Sequence, residues 1–208
     1  AQEMITLAPG IEFRGARMRF ERNEEIFGED EGAEYVYRVA SGAVRTMRFT
    51  ADGRRQILGF HLPGDIVGLE LGQVHTLSAE AVASSELVMV RRSVLDKAAA
   101  ESTTIARALL TLTAKTLDQA REHAMVLGRK GASERVATFL LGLADRMPSN
   151  PDVDLPMSRA DIGDYLGLTI ETVSRSFSDM ERQRAIALPS SRHVVMRSRM
   201  ALVQLQAA

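Results

Sequence analysis

The sequence predicts an α+β protein with an antiparallel β region first, a long helix next, and a winged helix–turn–helix at the C-terminal end. Residues 17–92 contain short aromatic and β-branched runs separated by turn residues about every 8 to 12 positions, as in an antiparallel sandwich or barrel. Residues 102–127 contain no proline or glycine and have helical apolar spacing. Residues 158–198 contain two short helical patterns joined by a glycine turn, followed by two short apolar runs.

The charge of the chain is balanced overall but uneven along its length. The 208 residues carry a formal net charge of −1, so the chain as a whole is not drawn to nucleic acid or to an anionic membrane. From residue 182 to residue 208, however, there are five arginines and no acidic residue. A local basic region of this kind suits contact with a phosphate backbone.

The composition excludes several kinds of site. The chain has no cysteine, which rules out disulfides, zinc–thiolate sites and iron–sulfur clusters bound by its own thiolates. A metal enzyme of the cupin type needs a His-x-His pair with a nearby glutamate, whereas His61 and His75 stand apart. No nucleophile–base pair stands out either, so we expect neither catalysis nor a cofactor or metal. No apolar run could span a membrane and no signal peptide is evident, so the expected location is the cytoplasm.

The β region is predicted from four strongly patterned strands. They are separated by turns in which Gly42, Gly53 and Gly64 provide positive φ. The strands are EYVYRVA (34–40), AVRTMRF (43–49), RRQILGFHL (54–62) and ELVMVRR (86–92).

The long helix carries a wide apolar stripe made of two rows. One row consists of Ile105, Leu109, Leu112 and Thr116, and the other of Leu110, Thr113, Leu117, Ala120, Ala124 and Leu127. The stripe could pack on the chain's own sheet or form a two-stranded coiled coil with a second subunit. Because about 25 residues exceed what a small sheet can cover, we expect a homodimer whose interface includes Ile105, Leu109, Leu112 and Thr116.

Three regions follow from these patterns. Residues 1–92 form the β domain, 93–128 the linker and dimerisation helix, and 129–208 the C-terminal domain. The C-terminal domain begins with a helix over 133–147, and residues 149–156 are predicted to be a loop.

The helix–turn–helix is predicted from its caps. Ser158 caps a helix from Arg159 to Leu166, and Gly167 suits the left-handed conformation that ends a helix. Thr169 then caps a second helix over residues 170–183. A capped helix pair joined by a three-residue turn is the layout of a motif that places its second helix in the major groove.

The second helix has an apolar and a polar side. The apolar side, predicted to face inward, consists of Ile170, Val173, Phe177 and Met180. The polar side consists of Glu171, Ser174, Arg175, Ser178 and Arg182. Arginine can donate two hydrogen bonds to guanine, glutamate can accept one from cytosine, and serine can approach a base edge. The alternative is an ordinary surface pair between Glu171 and Arg175, worth about 0.2–0.5 kcal/mol.

Residues 185–198 are predicted to form a β-wing, two strands around a polar turn. Arg192 and His193 at its tip would contact phosphates. A wing directly after the second helix favours the DNA-binding interpretation over an ordinary surface helix.

From about residue 17 to its C-terminus the chain resembles the Crp/Fnr transcription regulators. The similar segments are SGAVR and DGRRQILGFHLPGDIVGLE in the β region, the long helix, and ETVSR in the helix–turn–helix. The resemblance implies a jelly-roll-like β-roll as sensor domain, a dimerisation helix and a DNA-binding domain. It also implies a homodimeric activator whose partners are double-stranded DNA and RNA polymerase.

The pattern I-E-x-x-S-R looks like that of the Fnr/FixK branches rather than the Crp branch. That resemblance implies a palindrome with TTGAT-type half-sites, in which Arg175 reads guanine, Glu171 the region of the opposite cytosine, and Ser174 a thymine. It further implies that Arg159, Thr169 and Thr172 contact phosphates.

The same resemblance bears on regulation. His75 and Thr76 stand where cyclic-nucleotide binders of this family carry Arg-Ser, so no cyclic nucleotide is expected. The cysteines that hold the Fnr cluster are absent, which leaves the FixK type, activators of genes for low-oxygen respiration and nitrogen fixation. The alternative is a ligand-gated regulator of the same fold with an unknown effector in the β-roll.

Overall fold

The structure is a computed structural model that describes residues 2–8, 10–129, 131–147 and 152–206. The chain forms two compact units, Ala1–Ala120 and Arg121–Ala208. The boundary between these units lies inside the long helix rather than at either end of it.

The first unit is the predicted antiparallel β domain. Its described residues form two antiparallel sheets, with strand orders β1-β2-β9-β4-β7 and β3-β8-β5-β6. All four predicted strands are confirmed to within a residue or two, as β4, β5, β6 and β9, whereas the other five strands were not individually predicted. The strands are β1 (Gln2–Ala8), β2 (Ile11–Phe20), β3 (Glu25–Phe27), β4 (Tyr35–Ser41), β5 (Val44–Phe49), β6 (Arg55–His61), β7 (Ile66–Val67), β8 (Ser78–Ala81) and β9 (Ser85–Arg91).

Alternation along the strands gives this unit two apolar clusters. On β4, Tyr37 and Val39 belong to a cluster between the sheets, with Phe20, Phe27 and Leu87. Val36, which points to the opposite face of the strand, joins Ile5, Phe13, Val88, Val90 and Leu95. This second cluster is covered by helix α1 (Arg92–Glu101) and the first half of helix α2 (Thr103–Arg129). The turn glycines Gly42, Gly53 and Gly64 have the predicted positive φ, at 81°, 76° and 99°.

The second unit contains the predicted helix–turn–helix and wing. The predicted loop over 149–156 is wrong at residues 152–154, which form a strand paired with β12; residues 148–151 lie outside the described residues. Val153 is completely buried there, so tertiary pairing overrides the local preference of its flanking aspartates. The elements are α3 (Ala132–Arg146), β10 (Asp152–Asp154), α4 (Arg159–Leu166), α5 (Ile170–Arg182), β11 (Ile186–Ala187), β12 (His193–Met196) and α6 (Arg199–Gln206).

The C-terminal end of α2 packs within this second unit. Arg135 on α3 donates hydrogen bonds to the carbonyl oxygens of Leu127 and Leu166, at 2.9 and 2.8 Å. The ring of His123 stacks on Tyr165 of α4, with centroids 4.0 Å apart. Burial of the His123 side chain lowers its pKa, so the ring stays neutral near neutral pH.

Candidate nucleic-acid interface

The turn between α4 and α5 is fixed by its caps. The Ser158 hydroxyl accepts a hydrogen bond from the Asp161 N–H, and the Asp161 carboxylate accepts one from the Ser158 N–H, which forms a capping box. Gly167 has φ 64°, and the Thr169 hydroxyl accepts a hydrogen bond from the Thr172 N–H at 3.2 Å. The predicted caps at Ser158 and Thr169 and the glycine turn are therefore confirmed.

Gly163 is needed for the same turn, and the sequence interpretation missed it. A Cβ at this position would lie 2.6 Å from the carbonyl oxygen of Leu168, a distance that side chains do not tolerate. The Leu168 N–H also donates to the Gly163 carbonyl oxygen at 3.0 Å. A glycine inside an otherwise regular helix pattern was the available signal, because such a residue usually has a packing reason.

Helix α5 has a buried and an open side. Val173, Phe177 and Met180 are at most 1% exposed, as predicted. Ile170 is 46% exposed, so the prediction that it faces inward is wrong. It is the first residue of the helix, at the edge of the core. The exposed residues of the open side are Glu171, Ser174, Arg175, Ser178 and Arg182.

The two long side chains near the start of the open side are not paired with each other. In the part of the chain that the structure describes, Arg175 makes no hydrogen bond or ion pair, so the i,i+4 pair with Glu171 is not formed. Further along the same side, Arg182 is engaged by Asp179. Arg175 therefore presents all its donors to solvent.

The Glu171 carboxylate is kept ionised by local hydrogen bonds. It accepts hydrogen bonds from its own backbone N–H, which has the larger effect, and from the Thr169 side chain, and both bonds lower its pKa. The Thr169 and Thr172 hydroxyl oxygens lie 3.1 Å apart. All three groups cluster at the N-terminal end of α5, where the helix dipole stabilises a negative charge.

Arg159, predicted to bind phosphate, lies at the start of α4. Its guanidinium carbon is 3.1 Å from the centroid of the Phe177 ring. Burial lowers the pKa of Arg159 to about 10, and its buried Nη1 makes no hydrogen bond with any described residue. The side chain is still cationic near neutral pH.

The β-wing is tied to the rest of the unit through its base. Strand β12 pairs with β11 on one side and β10 on the other. The Nδ1 atom of His193 lies 2.7 Å from the Asp154 carboxylate, and this hydrogen bond, with the nearby charge of Asp152, raises the His193 pKa. Arg192 is exposed at the turn.

The residues predicted for the dimer interface have partners within their own chain. Ile105, Leu109 and Leu112 are partly buried against the second cluster of the β domain, and Thr116 lines a small cavity with Thr6 and His61. The neighbouring row is open, with Leu110 69% and Leu117 50% exposed.

The segment that would hold a cyclic nucleotide contains a partly buried glutamate, Glu70, that is hydrogen-bonded within the segment. The Glu70 carboxylate accepts a hydrogen bond from the Thr76 N–H at 2.9 Å, and its other oxygen lies 3.2 Å from Nδ1 of His75. His75 is 1% exposed and stacks on Phe27, with ring centroids 3.7 Å apart. We call this segment, residues 68–76, the cassette.

Metal sites and membrane spans are not found in the described ranges. Within them, no group of three acidic or histidine side chains could hold a metal ion. None of the helices seen there is sufficiently long and apolar to cross a bilayer.

A capped helix pair with an open polar face, a wing and an attached β domain defines a DNA-binding transcription regulator. The Crp-like helix-turn-helix domain model matches residues 134–205, and the cyclic nucleotide-binding domain model matches residues 17–102. The chain belongs to the Crp/Fnr family. At family level these proteins are transcription regulators and not enzymes.

Within this family the chain is similar to FixK proteins. It is 49% identical over 210 residues to the nitrogen fixation regulation protein FixK of Azorhizobium caulinodans, covering 99% of this chain and 85% of that one. FixK of Bradyrhizobium diazoefficiens is 41% identical over 182 residues, covering 86% and 77%. The solved structure of FixK2 from Bradyrhizobium japonicum matches with a TM-score of 0.91 and 49% identity, covering 93% of this chain and 98% of that one.

Proposed function

We propose that this chain is a homodimeric, sequence-specific transcription activator of the FixK type that recognises a TTGAT-type palindrome. The observation that carries the proposal is the open side of α5, where Arg175 has no partner among the described residues and lies beside the exposed Glu171 and Ser174. Arg175 would donate to guanine O6 and N7, Glu171 would accept from the opposite cytosine, and Ser174 would contact a thymine. Arg159, Thr169 and Thr172 would hold phosphates and set the register of α5 in the groove.

The regulated genes are inferred from relatives. Three similar proteins are called nitrogen fixation regulation protein FixK. We infer that this chain activates genes for nitrogen fixation or low-oxygen respiration, with RNA polymerase as its second partner. A regulator with these partners would act in the cytoplasm.

The dimer interface is best assigned to the open row of α2. Leu110, Thr113 and Leu117 repeat at the spacing of a two-stranded coiled coil. Leu110 also borders a mainly apolar cavity of about 310 Å³ beside Leu71, which is 90% exposed. A second copy of α2 placed here would cover these side chains, whereas Ile105, Leu109 and Leu112 of the row predicted first already pack on their own β domain.

The cassette supports regulation without a cyclic nucleotide. The Glu70 carboxylate already accepts hydrogen bonds of the kind that a phosphate would accept, and an added phosphate would be repelled by it. The cavity beside Thr116 measures about 80 Å³, whereas small-molecule sites usually measure about 300–1,000 Å³. An effector of another chemistry, bound in the larger cavity at Leu71, is the alternative function.

A gel-shift assay tests the proposal. TTGAT- and TGTGA-type palindromes are compared, each with and without cyclic AMP. We expect tighter binding to the TTGAT site and no effect of the nucleotide. Equal binding to both sites and to scrambled DNA would remove the base-reading role of α5, and a nucleotide-dependent gain would contradict the closed cassette.

The dimer assignment has its own test. Leu110→Glu should give monomers by light scattering, because it places a charge in the proposed seam. Thr111→Glu is the matched control, because Thr111 is also exposed but lies on neither row, and it should remain dimeric. A dimeric Leu110→Glu variant would move the interface elsewhere.

A further inference from the structure

We propose that Phe177, on the buried side of α5, is a positioning residue for the phosphate contact made by Arg159. The inference rests on the proposed DNA-binding function. The relevant geometry is the stack of the guanidinium on the ring, with 3.1 Å between the guanidinium carbon and the ring centroid. Phe177 itself is 1% exposed, so it cannot touch DNA directly.

Arg159 is poorly placed for stability alone. It is the first residue of α4, where the helix dipole disfavours a positive charge. Its guanidinium is desolvated enough to lower the pKa to about 10, and Nη1 is buried without a hydrogen-bond partner in the part of the chain that the structure describes. A buried donor without an acceptor is unfavourable. An approaching phosphate would offset the first two disadvantages, because its negative charge compensates both the helix dipole and the desolvated cation.

The Phe177 ring compensates part of this unfavourable setting before DNA arrives. A guanidinium over an aromatic face gains a cation–π attraction that strengthens as water is excluded. The ring lies beneath the guanidinium carbon, and the donors other than the buried Nη1 would bind the phosphate oxygens. Holding the guanidinium in place in the free protein reduces the conformational entropy lost on binding.

This contact also links the proposed phosphate contact of Arg159 with the proposed base contact of Arg175. The ring belongs to α5, whose opposite side carries Arg175, while the guanidinium belongs to α4. The phosphate contact of α4 is therefore placed by the helix that enters the groove. A side chain without a ring at position 177 would fill the core but leave the guanidinium unsupported.

The test compares Phe177→Leu with Met180→Leu. Both replace a residue that is 1% exposed on the same side of α5, but only the first removes the ring beneath Arg159. Binding of each full-length dimer is measured on the TTGAT palindrome and on scrambled DNA. We expect Phe177→Leu to weaken both by about threefold to tenfold, as for loss of a partly desolvated cation–π contact, with base preference unchanged. Met180→Leu should bind like the wild type.

A double-mutant cycle separates positioning from simple destabilisation. If Phe177 acts through Arg159, its loss should have little further effect in the Arg159→Ala background. The same loss with and without Arg159, or an equal loss in Met180→Leu, would overturn the inference. If Arg159→Ala itself binds DNA normally, Arg159 does not contact a phosphate, and the inference fails together with that assignment. If the wild type shows no preference for the TTGAT site, the proposed function fails, which is a separate outcome.

A spectroscopic signature checks the geometry without DNA. The Arg159 Nε–H proton should be shifted upfield by the ring current in the wild type and in Met180→Leu, and should return toward its ordinary position in Phe177→Leu. An unshifted signal in the wild type would also overturn the inference.

Discussion

The cassette of the β domain and the N-terminal end of α5 use the same chemistry with opposite outcomes. In each, a glutamate carboxylate accepts a hydrogen bond from a backbone N–H. The Glu70 side chain is 17% exposed, and its carboxylate is held by Thr76 and the buried His75. The Glu171 carboxylate accepts hydrogen bonds from its own N–H and from Thr169, and its side chain is exposed.

The difference shows that accessibility, rather than hydrogen bonding, distinguishes a closed site from one that can exchange partners. Glu70 cannot leave without stranding the ring nitrogen of the buried His75. Glu171 can give up its local bonds, because water or a base edge replaces them at little cost. A glutamate with similar hydrogen bonds can therefore be closed to a ligand in the β domain and accessible to one at the start of α5.

The largest effect should come from opening the closed site. Glu70→Ala should lower the free energy of unfolding by about 3 kcal/mol, chiefly because the buried His75 ring loses its partner. In a chain of this size the corresponding fall in Tm is about 6–12 °C, measurable by calorimetry. Glu70→Gln, which can still bond to both groups, is the control and should retain most of the Tm. An unchanged Tm for Glu70→Ala would remove the contrast with Glu171.

The open site depends on the tight turn that follows α4, which Gly163 tests. Gly163→Ala should destabilise the second unit by about 2 kcal/mol, because its Cβ would meet the Leu168 carbonyl oxygen. Gly142→Ala is the control, since a Cβ there would have nothing within 4 Å. Thermal unfolding followed by circular dichroism should show a lower Tm only for the first variant. Equal Tm values would mean that the turn can relax.

Within the open site, Arg175→Ala tests base reading directly. We expect a loss of about 1.5 kcal/mol, roughly tenfold, on the TTGAT site with relaxed preference at one base pair. The Tm should be unchanged, because the exposed side chain makes no hydrogen bond or ion pair with the described residues. Ser178→Ala on the same side is the control. A loss that is uniform over all DNA sequences would make Arg175 a phosphate contact instead.

The smallest effect concerns pH and the wing. The His193 pKa is raised above its ordinary 6.5 by Asp154, so the stabilisation is fully present below about pH 6.5 and is lost as pH rises through the raised value. The difference in Tm between wild type and His193→Gln should therefore be larger at about pH 5.5 than at about pH 8.5. The opposite trend would show that Asp154 does not hold the protonated ring.

Local signals determined how much of the fold could be predicted. Ser158, Gly167 and Thr169 act through their own neighbours in sequence, and the caps they predict are present. Strand β10 depends on pairing with β12, far along the chain, and the clash at Gly163 depends on how the following turn folds back onto α4; periodicity encodes neither. The face of α2 was ambiguous for the same reason, since both rows have helical spacing and only the folded chain shows which one meets the β domain.

The base contacts were anticipated from residue chemistry, and they stay predictions. What the sequence could not show was the state of each group before binding. Arg175 has no partner among the residues that the structure describes, the Arg159 guanidinium lies over the Phe177 ring, and Glu171 is hydrogen-bonded to Thr169. These states depend on rotamers and burial, which arise only after the two helices pack.

The docking of the end of α2 onto α3 and α4 determines where the chain can be cut. A fragment that starts after the helix, at residue 131, would leave Arg135 without the Leu127 carbonyl and Tyr165 without the His123 ring. A fragment starting at Arg121 keeps both. An isolated DNA-binding domain should therefore include the last two turns of α2.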